Sequence, residues 1–63
     1  MATEEKRMKI ARIRAGVRQI ELAQQTGISA AYLSLIENGL KIPSGEQAKK
    51  INVALGEKIF EEE

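Results

Sequence analysis

Apolar residues recur every three or four positions along most of this chain, with polar residues between them. Near the beginning the repeat runs through Met8, Ala11 and Ala15, which predicts the buried face of a helix that ends at Gly16. A later segment repeats the spacing at Ala48, Ile51, Ala54 and Leu55. The alternation typical of strands does not occur, so the pattern predicts an all-α fold of four helices, or of five if the last residues form a short turn.

Between these segments lies the stretch 19–38, in which two short helical patterns meet at Gly27. Its apolar positions predict one shared buried side, formed by Leu22, Ala23, Ile28, Leu33 and Ile36. Gly27 can adopt the positive φ that a sharp turn needs, and the hydroxyl of Ser29 can cap the helix that follows. Two short helices joined in this way are typical of a helix-turn-helix unit.

The composition narrows the range of functions. The chain has 63 residues and contains neither cysteine nor histidine, which excludes a disulfide, a thiol nucleophile and the commonest metal ligand. We expect one small domain over residues 1–63, with its motif at 19–38, no cofactor and no enzymatic activity. Since no apolar run approaches the roughly 18 residues that span a bilayer and no signal peptide is visible, we expect a cytoplasmic protein without a membrane segment.

Charge is distributed unevenly along the chain, although the net charge is only +1. Residues 1–18 contain six lysines or arginines and two glutamates, whereas the chain finishes with three consecutive glutamates, Glu61 to Glu63. This asymmetry favours a protein that presents one basic face to phosphate groups. An ordinary solvated helix surface is the alternative interpretation of the same residues.

Several groups of residues together resemble a known family. They are Gln19 with Glu21-Leu22-Ala23, Thr26-Gly27-Ile28-Ser29, Tyr32-Leu33-Ser34, Ile36-Glu37-Asn38-Gly39, Pro43-Ser44, Lys50-Ile51 and Ala54-Leu55-Gly56. From about Met8 to Ile59 the chain resembles the phage repressor/Cro-type, or Xre-like, helix-turn-helix domain. The resemblance implies a compact bundle of four or five helices and sequence-specific binding of double-stranded DNA by a transcriptional regulator, most often a repressor acting as a homodimer.

The resemblance also implies which side chains contact DNA. The second helix of the motif, expected at residues 30–37, enters the major groove and faces the bases with Ala30, Ala31, Ser34 and Leu35. The positions that match phosphate contacts are Gln19, Asn38 and Lys41, with Arg18, Ser29 and Tyr32 as secondary candidates. Of the base-facing residues only Ser34 can hydrogen-bond, so this helix lacks the Gln, Arg or Lys that related domains often carry there.

Some of these positions have a structural alternative. Gln19 and Asn38 can serve in capping and turn formation, and Lys41 can be a solvated loop charge. The ring of Tyr32 can cover the seam between two helices, and Leu35 can contact a protein partner instead of DNA.

Contacts within and between chains are implied as well. Arg12 of the first helix is expected to form a partly buried ion pair with Glu37, which would orient the recognition helix more than it stabilises the fold. Gly45, Ala48 and Asn52 stand where relatives often carry larger or more apolar residues, which predicts a small core with loose packing around the fourth helix. Family members commonly pair through the C-terminal end, which places the expected homodimer surface at Leu55, Ile59 and Phe60.

A second function competes with DNA binding, namely an antitoxin-like or other protein-interaction module of the same fold. The apolar residues expected to be exposed favour it, and they are Ile10, Ile13, Ile20, Leu35, Leu40 and Ile42. Sequence alone does not decide whether they form one surface. A steep loss of affinity with rising salt would indicate DNA, because phosphate contacts release counterions.

Overall fold

A computed structural model describes the backbone of residues 4–61 and the side chains of 6–61. The helices are α1 (Glu4–Arg14), α2 (Gln19–Thr26), α3 (Ala30–Glu37) and α4 (Gly45–Leu55). No strand occurs between residues 4 and 61, so the all-α prediction is confirmed. Residues 56–61 form no fifth helix. Thr3, whose hydroxyl is a candidate cap for the first helix, and the last two glutamates, Glu62 and Glu63, lie outside the described residues.

One core joins all four helices and the segment that follows them. Its fully buried large side chains come one or two from each helix, namely Met8, Leu22, Leu33, Ile36 and Ile51. The core also contains two small residues, Ala11 and Ala48, and three residues that follow a helix, Ile28, Ile59 and Phe60. The periodic positions predicted for α2, α3 and α4 therefore lie inside, as full or partial members of the core.

Ala15 is an exception, since it was predicted to be buried with Met8 and Ala11 but is exposed. The reason is that α1 ends at Arg14, one residue earlier than the apolar repeat suggests. Gly16 then adopts a φ of 72°, and the chain leaves the helical path there.

The turn between α2 and α3 follows the predicted chemistry. Gly27 has a φ of 75°, and its N–H donates to the carbonyl of Ala23 at 2.8 Å. Nothing lies within 4 Å of the position that a Cβ would occupy, so the backbone angle and not close packing calls for glycine. The hydroxyl of Ser29 accepts the N–H of Tyr32 at 3.1 Å and caps α3.

A buried threonine adds a contact inside this turn. The Thr26 hydroxyl donates to the carbonyl of Leu22 at 2.8 Å and accepts the N–H of Ile28 at 3.2 Å. One side chain thus links the last turn of α2 to the residue that bridges towards α3. It satisfies an N–H that would otherwise be buried without a partner.

The chain beyond α4 folds back onto the core and is hydrogen-bonded there to one amide side chain. The Asn52 side chain accepts the N–H groups of Ile59 and Phe60 at 2.9 and 3.1 Å, and it donates to the Phe60 carbonyl at 2.8 Å. Asn52 is itself buried. Its side chain thus supplies bonds that a fifth helix would give to these backbone groups, while the looseness expected in the packing around α4 stays a prediction.

This arrangement also corrects the expected homodimer surface. Ile59 and Phe60 are only 3% and 5% exposed within a single chain, because they complete its core. They cannot also offer a free apolar surface to a second copy. Of the three expected pairing residues, Leu55 alone is half-buried and keeps exposed area.

Candidate nucleic-acid interface

The side of α3 that faces away from the core carries the residues expected to read bases. Leu33 and Ile36 are fully buried, which fixes the rotation of the helix about its axis. Ala31 is then exposed, whereas Ala30, Ser34 and Leu35 are half-buried. Leu35 is less accessible than the other apolar residues predicted to be exposed, which are Ile10, Ile13, Ile20, Leu40 and Ile42.

The end of α3 is closed by its own side chains. The Asn38 amide donates to the Ser34 carbonyl at 2.9 Å and lies 3.5 Å from the Ser34 hydroxyl. Asn38 is exposed, so its amide oxygen stays at the surface. Asn38 thus acts as a C-terminal cap, and its amide oxygen remains available to a ligand.

Arg12 and Glu37 lie together beneath this surface. Arg12 Nε donates to Glu37 Oε2 at 2.8 Å, and Arg12 Nη2 donates to Oε1 at 3.3 Å. The two side chains are 12% and 3% exposed, so the pair is largely shielded from water. Arg12 Nη1 also donates to the carbonyl of Val17 at 2.9 Å. One guanidinium therefore joins α1, the turn that follows it and the end of α3.

Gln19 belongs to the same network, which sequence reasoning did not anticipate. Its Nε2 donates to Glu37 Oε1 at 3.1 Å across 18 positions of sequence. This contact takes one of the two amide hydrogens of the residue expected to bind phosphate, and the other hydrogen stays free for a ligand. The Gln19–Glu37 contact could have been inferred from the sequence, because a buried carboxylate has more acceptor sites than one arginine fills. The result links the first residue of α2 to the last residue of α3.

The start of α2 has its own electrostatic cap. The Glu21 carboxylate accepts the backbone N–H of Arg18 at 2.9 Å and the Arg18 guanidinium Nε–H at 3.2 Å. These two contacts, the backbone one first, hold the pKa of the Glu21 carboxyl below its ordinary value. Arg18 has no side-chain acceptor, so Glu21 alone makes the side-chain cap at the start of α2.

The remaining candidates differ in how available they are. Lys41 is exposed and stays near the end of α3, because its N–H and that of Leu40 both donate to the Leu35 carbonyl. Arg18 is exposed beside Glu21, whereas the Ser29 hydroxyl is engaged as a cap. Tyr32 is half-buried and packs against the core, as its structural alternative proposed.

Residues 6–61 offer neither a metal-binding cluster nor a membrane-spanning helix. No group of three or more His, Cys, Asp or Glu side chains in that range could hold a metal ion. None of the helices in the described part of the chain is long and apolar enough to cross a membrane.

Comparison with known proteins finds a match that covers nearly all of the described fold. A family model described as "Helix-turn-helix" matches residues 8–61, from the first buried residue of α1 to the segment held by Asn52. Neither the curated proteins nor the solved structures contain a significant match to this chain. Because the match spans most of the sequence, this chain belongs to the Xre-like, or phage repressor-like, helix-turn-helix family of DNA-binding proteins.

Proposed function

We propose that the protein is a transcriptional repressor that binds double-stranded DNA as a homodimer, with α3 in the major groove. The observation that carries this proposal is the uncovered side of α3, on which Ala31 is exposed and Ser34 and Leu35 are half-buried. Potential phosphate contacts flank that side at Gln19, Asn38 and Lys41. An α-helix presented in this way fits the width of the major groove.

A rigid frame behind α3 supports the proposal. A recognition helix reads bases only if its side chains are held in one position relative to the phosphates that fix its register. Glu37 bonds both Arg12 and Gln19, so the end of α3 and the start of α2 move as one unit. A phosphate bound at the start of α2 would therefore set the position of α3.

The chemistry of base reading would be largely apolar. Ala30, Ala31 and Leu35 can contact thymine methyl groups, and the Ser34 hydroxyl can donate to or accept from a base edge. No side chain on this surface can form the bidentate contact that discriminates bases by about 1–3 kcal/mol. DNA shape and bridging water would supply the remaining specificity.

Phosphate binding would come from the edges of the motif. The free N–H groups at the start of α2 and the second amide hydrogen of Gln19 suit one phosphate. Lys41 and Asn38 suit another beyond the end of α3. Arg18 is exposed and can add charge, although its guanidinium already neutralises Glu21 in part.

Pairing of two copies would compensate for so small a reading surface. An eight-residue helix with one hydrogen-bonding side chain among its base-facing residues offers little discrimination by itself. Two copies on a two-fold symmetric site double the contacts and define a half-site spacing. We place the pairing surface around Leu55 and not on Ile59 and Phe60, which are buried. Repression would follow from occupation of the site that another protein needs.

The decisive experiment is selection of bound sequences from a pool of random duplexes, read by sequencing. A two-fold symmetric consensus with half-sites about one helical turn apart is expected. Ser34→Ala should relax the consensus at one position of each half-site, whereas Lys49→Ala, a change of an exposed residue on α4, should leave it unchanged. Absence of any enriched sequence at low salt would reject the proposal.

A further inference from the structure

The outer face of α1 exposes apolar surface that nothing in the described fold covers. Ile10 and Ile13 are 48% and 60% exposed and stand three positions apart, so their side chains are neighbours on the helix surface. The opposite face of α1 carries Met8 and Ala11, which lie in the core, and Arg12, which binds Glu37. The two isoleucines therefore take no part in the core or in the network beneath α3.

Cations surround this pair of isoleucines on the same helix. Arg7, Lys9 and Arg14 are exposed and lie one to four positions from one or the other isoleucine. No carboxylate among residues 6–61 comes within ion-pairing distance of these three. Two arginines of this region differ, since Arg12 binds Glu37 and Arg18 binds Glu21. We call the surface formed by Arg7, Lys9, Ile10, Ile13 and Arg14 the α1 outer face.

We propose that the α1 outer face docks an acidic amphipathic segment of another protein. Its isoleucines would receive the apolar side of that segment, and its cations would pair with the carboxylates that flank that side. Aliphatic anchors with a charged rim are typical of helix-in-groove and helix-on-helix recognition. The inference does not depend on DNA binding, because the α1 outer face shares no residue with the α3 surface.

Charge distinguishes an acidic amphipathic segment from the other possible occupants of the α1 outer face, which are a second copy, DNA and a bilayer. A second copy presenting the same face would bring Arg7, Lys9 and Arg14 against their equivalents, and like charges at an interface oppose association. DNA phosphates would satisfy the cations but leave both isoleucines against a strongly hydrated backbone. A bilayer needs a broad apolar face, whereas this one has two aliphatic side chains. An acidic partner with its own apolar side matches both features.

The test uses the whole protein, labelled with nitrogen-15, and synthetic peptides observed by two-dimensional NMR. The first peptide is a helix-forming sequence of leucine and glutamate with leucines at helical spacing, and the second has the same composition in scrambled order. Saturable shifts confined to α1 are expected with the first peptide, with at least tenfold weaker binding of the second. Equal binding of both peptides would overturn the proposal, since it would indicate simple charge attraction.

Variants then assign the surface. The double substitution I10S and I13S should weaken binding of the first peptide at least tenfold, and K9E with R14E should abolish it. Val53→Ser removes an apolar residue that is 73% exposed on α4, and it should leave binding unchanged. Thermal melting of each variant checks that the fold is retained.

Three further outcomes would count against the proposal. Peptide shifts centred on Lys41 and Ile42 would assign binding to a different surface. Loss of self-association in I10S and I13S, measured by sedimentation, would make the face a contact between copies. A tenfold loss of DNA affinity in the same variant, with no change in peptide binding, would assign the face to nucleic acid.

Discussion

Arg12 and Glu37, 25 positions apart in sequence, meet at 2.8 Å between Nε and Oε2 and join the first helix to the end of the third. The contact is nearly closed to water, and Glu37 shares its second oxygen with Gln19. The same carboxylate therefore serves the bundle and the frame of the candidate interface.

Removal of the Arg12 side chain is expected to lower both the stability of the bundle and the affinity for DNA. Arg12→Ala leaves Glu37 buried without its main partner, and breaking such a pair costs about 3 kcal/mol. Urea denaturation should show this loss, and DNA affinity should fall because α3 is no longer fixed relative to α2. Arg14→Ala, an exposed neighbour, should change stability by no more than about 0.5 kcal/mol.

A matched double substitution separates the charge from the packing. R12M with E37L replaces both partners by apolar side chains, which often restores stability. The double variant should therefore be more stable than R12M alone. An Arg12→Ala protein with unchanged melting and unchanged DNA affinity would contradict the role assigned to the pair.

Acid should loosen the start of α2. The Arg18 contacts lower the pKa of Glu21 in the folded protein, so the ionised carboxylate contributes stability above its unfolded pKa of about 4.3. That contribution is lost as the pH falls through the lower, folded pKa. NMR should report a Glu21 titration below the ordinary range, accompanied by a shift of the Arg18 amide.

Glu21→Gln supplies the control for this titration. Its amide oxygen can still accept the Arg18 N–H, but it carries no charge. The variant should lose the Arg18 shift at acid pH. If the wild-type Arg18 amide shows no pH dependence between about pH 5 and 2, the cap does not form in solution.

Asn52 is expected to hold the last described segment in place. Asn52→Ala leaves the N–H and the carbonyl of Phe60 without their side-chain partner, whereas the Ile59 N–H keeps its bond to the Glu57 carbonyl. An unsatisfied buried group costs about 1–3 kcal/mol. Hydrogen exchange should accelerate at Phe60 before it does in α2. Lys49→Ala on the same helix should leave exchange unchanged.

Aspartate at position 52 refines that test. Asn52→Asp keeps the acceptor for both N–H groups but replaces the donor to the Phe60 carbonyl with a second acceptor. Its stability should lie at or below that of Asn52→Ala at neutral pH, because a buried charge is added. Wild-type stability in both variants would show that the segment is held by its apolar side chains alone.

Lys41 should contribute charge but no sequence preference. Lys41→Ala should weaken binding to every duplex to a similar degree and reduce the slope of log affinity against log salt by about 1. Fluorescence anisotropy at several salt concentrations measures both quantities. An unchanged slope would indicate that Lys41 is a solvated loop charge, which was its alternative interpretation. Lys49→Ala provides the matched control.

Local rules account for what sequence by itself determined. The bounds of α2 and α3, the glycine turn between them and the Ser29 cap all involve residues within four positions of one another. Helix periodicity and capping chemistry act at that range, so they can be read from sequence. The same rules located the buried positions of α2 to α4, and the family resemblance paired Arg12 with Glu37.

Only the tertiary structure decided the contacts that join distant segments. The Gln19 bond to Glu37 and the Asn52 bonds to Ile59 and Phe60 depend on where whole helices meet, which periodicity does not encode. Burial of Ile59 and Phe60 followed from the same folding back, and it removed the expected pairing surface. A polar side chain seeks whichever partner the packed core leaves nearby, and packing is a property of the whole chain.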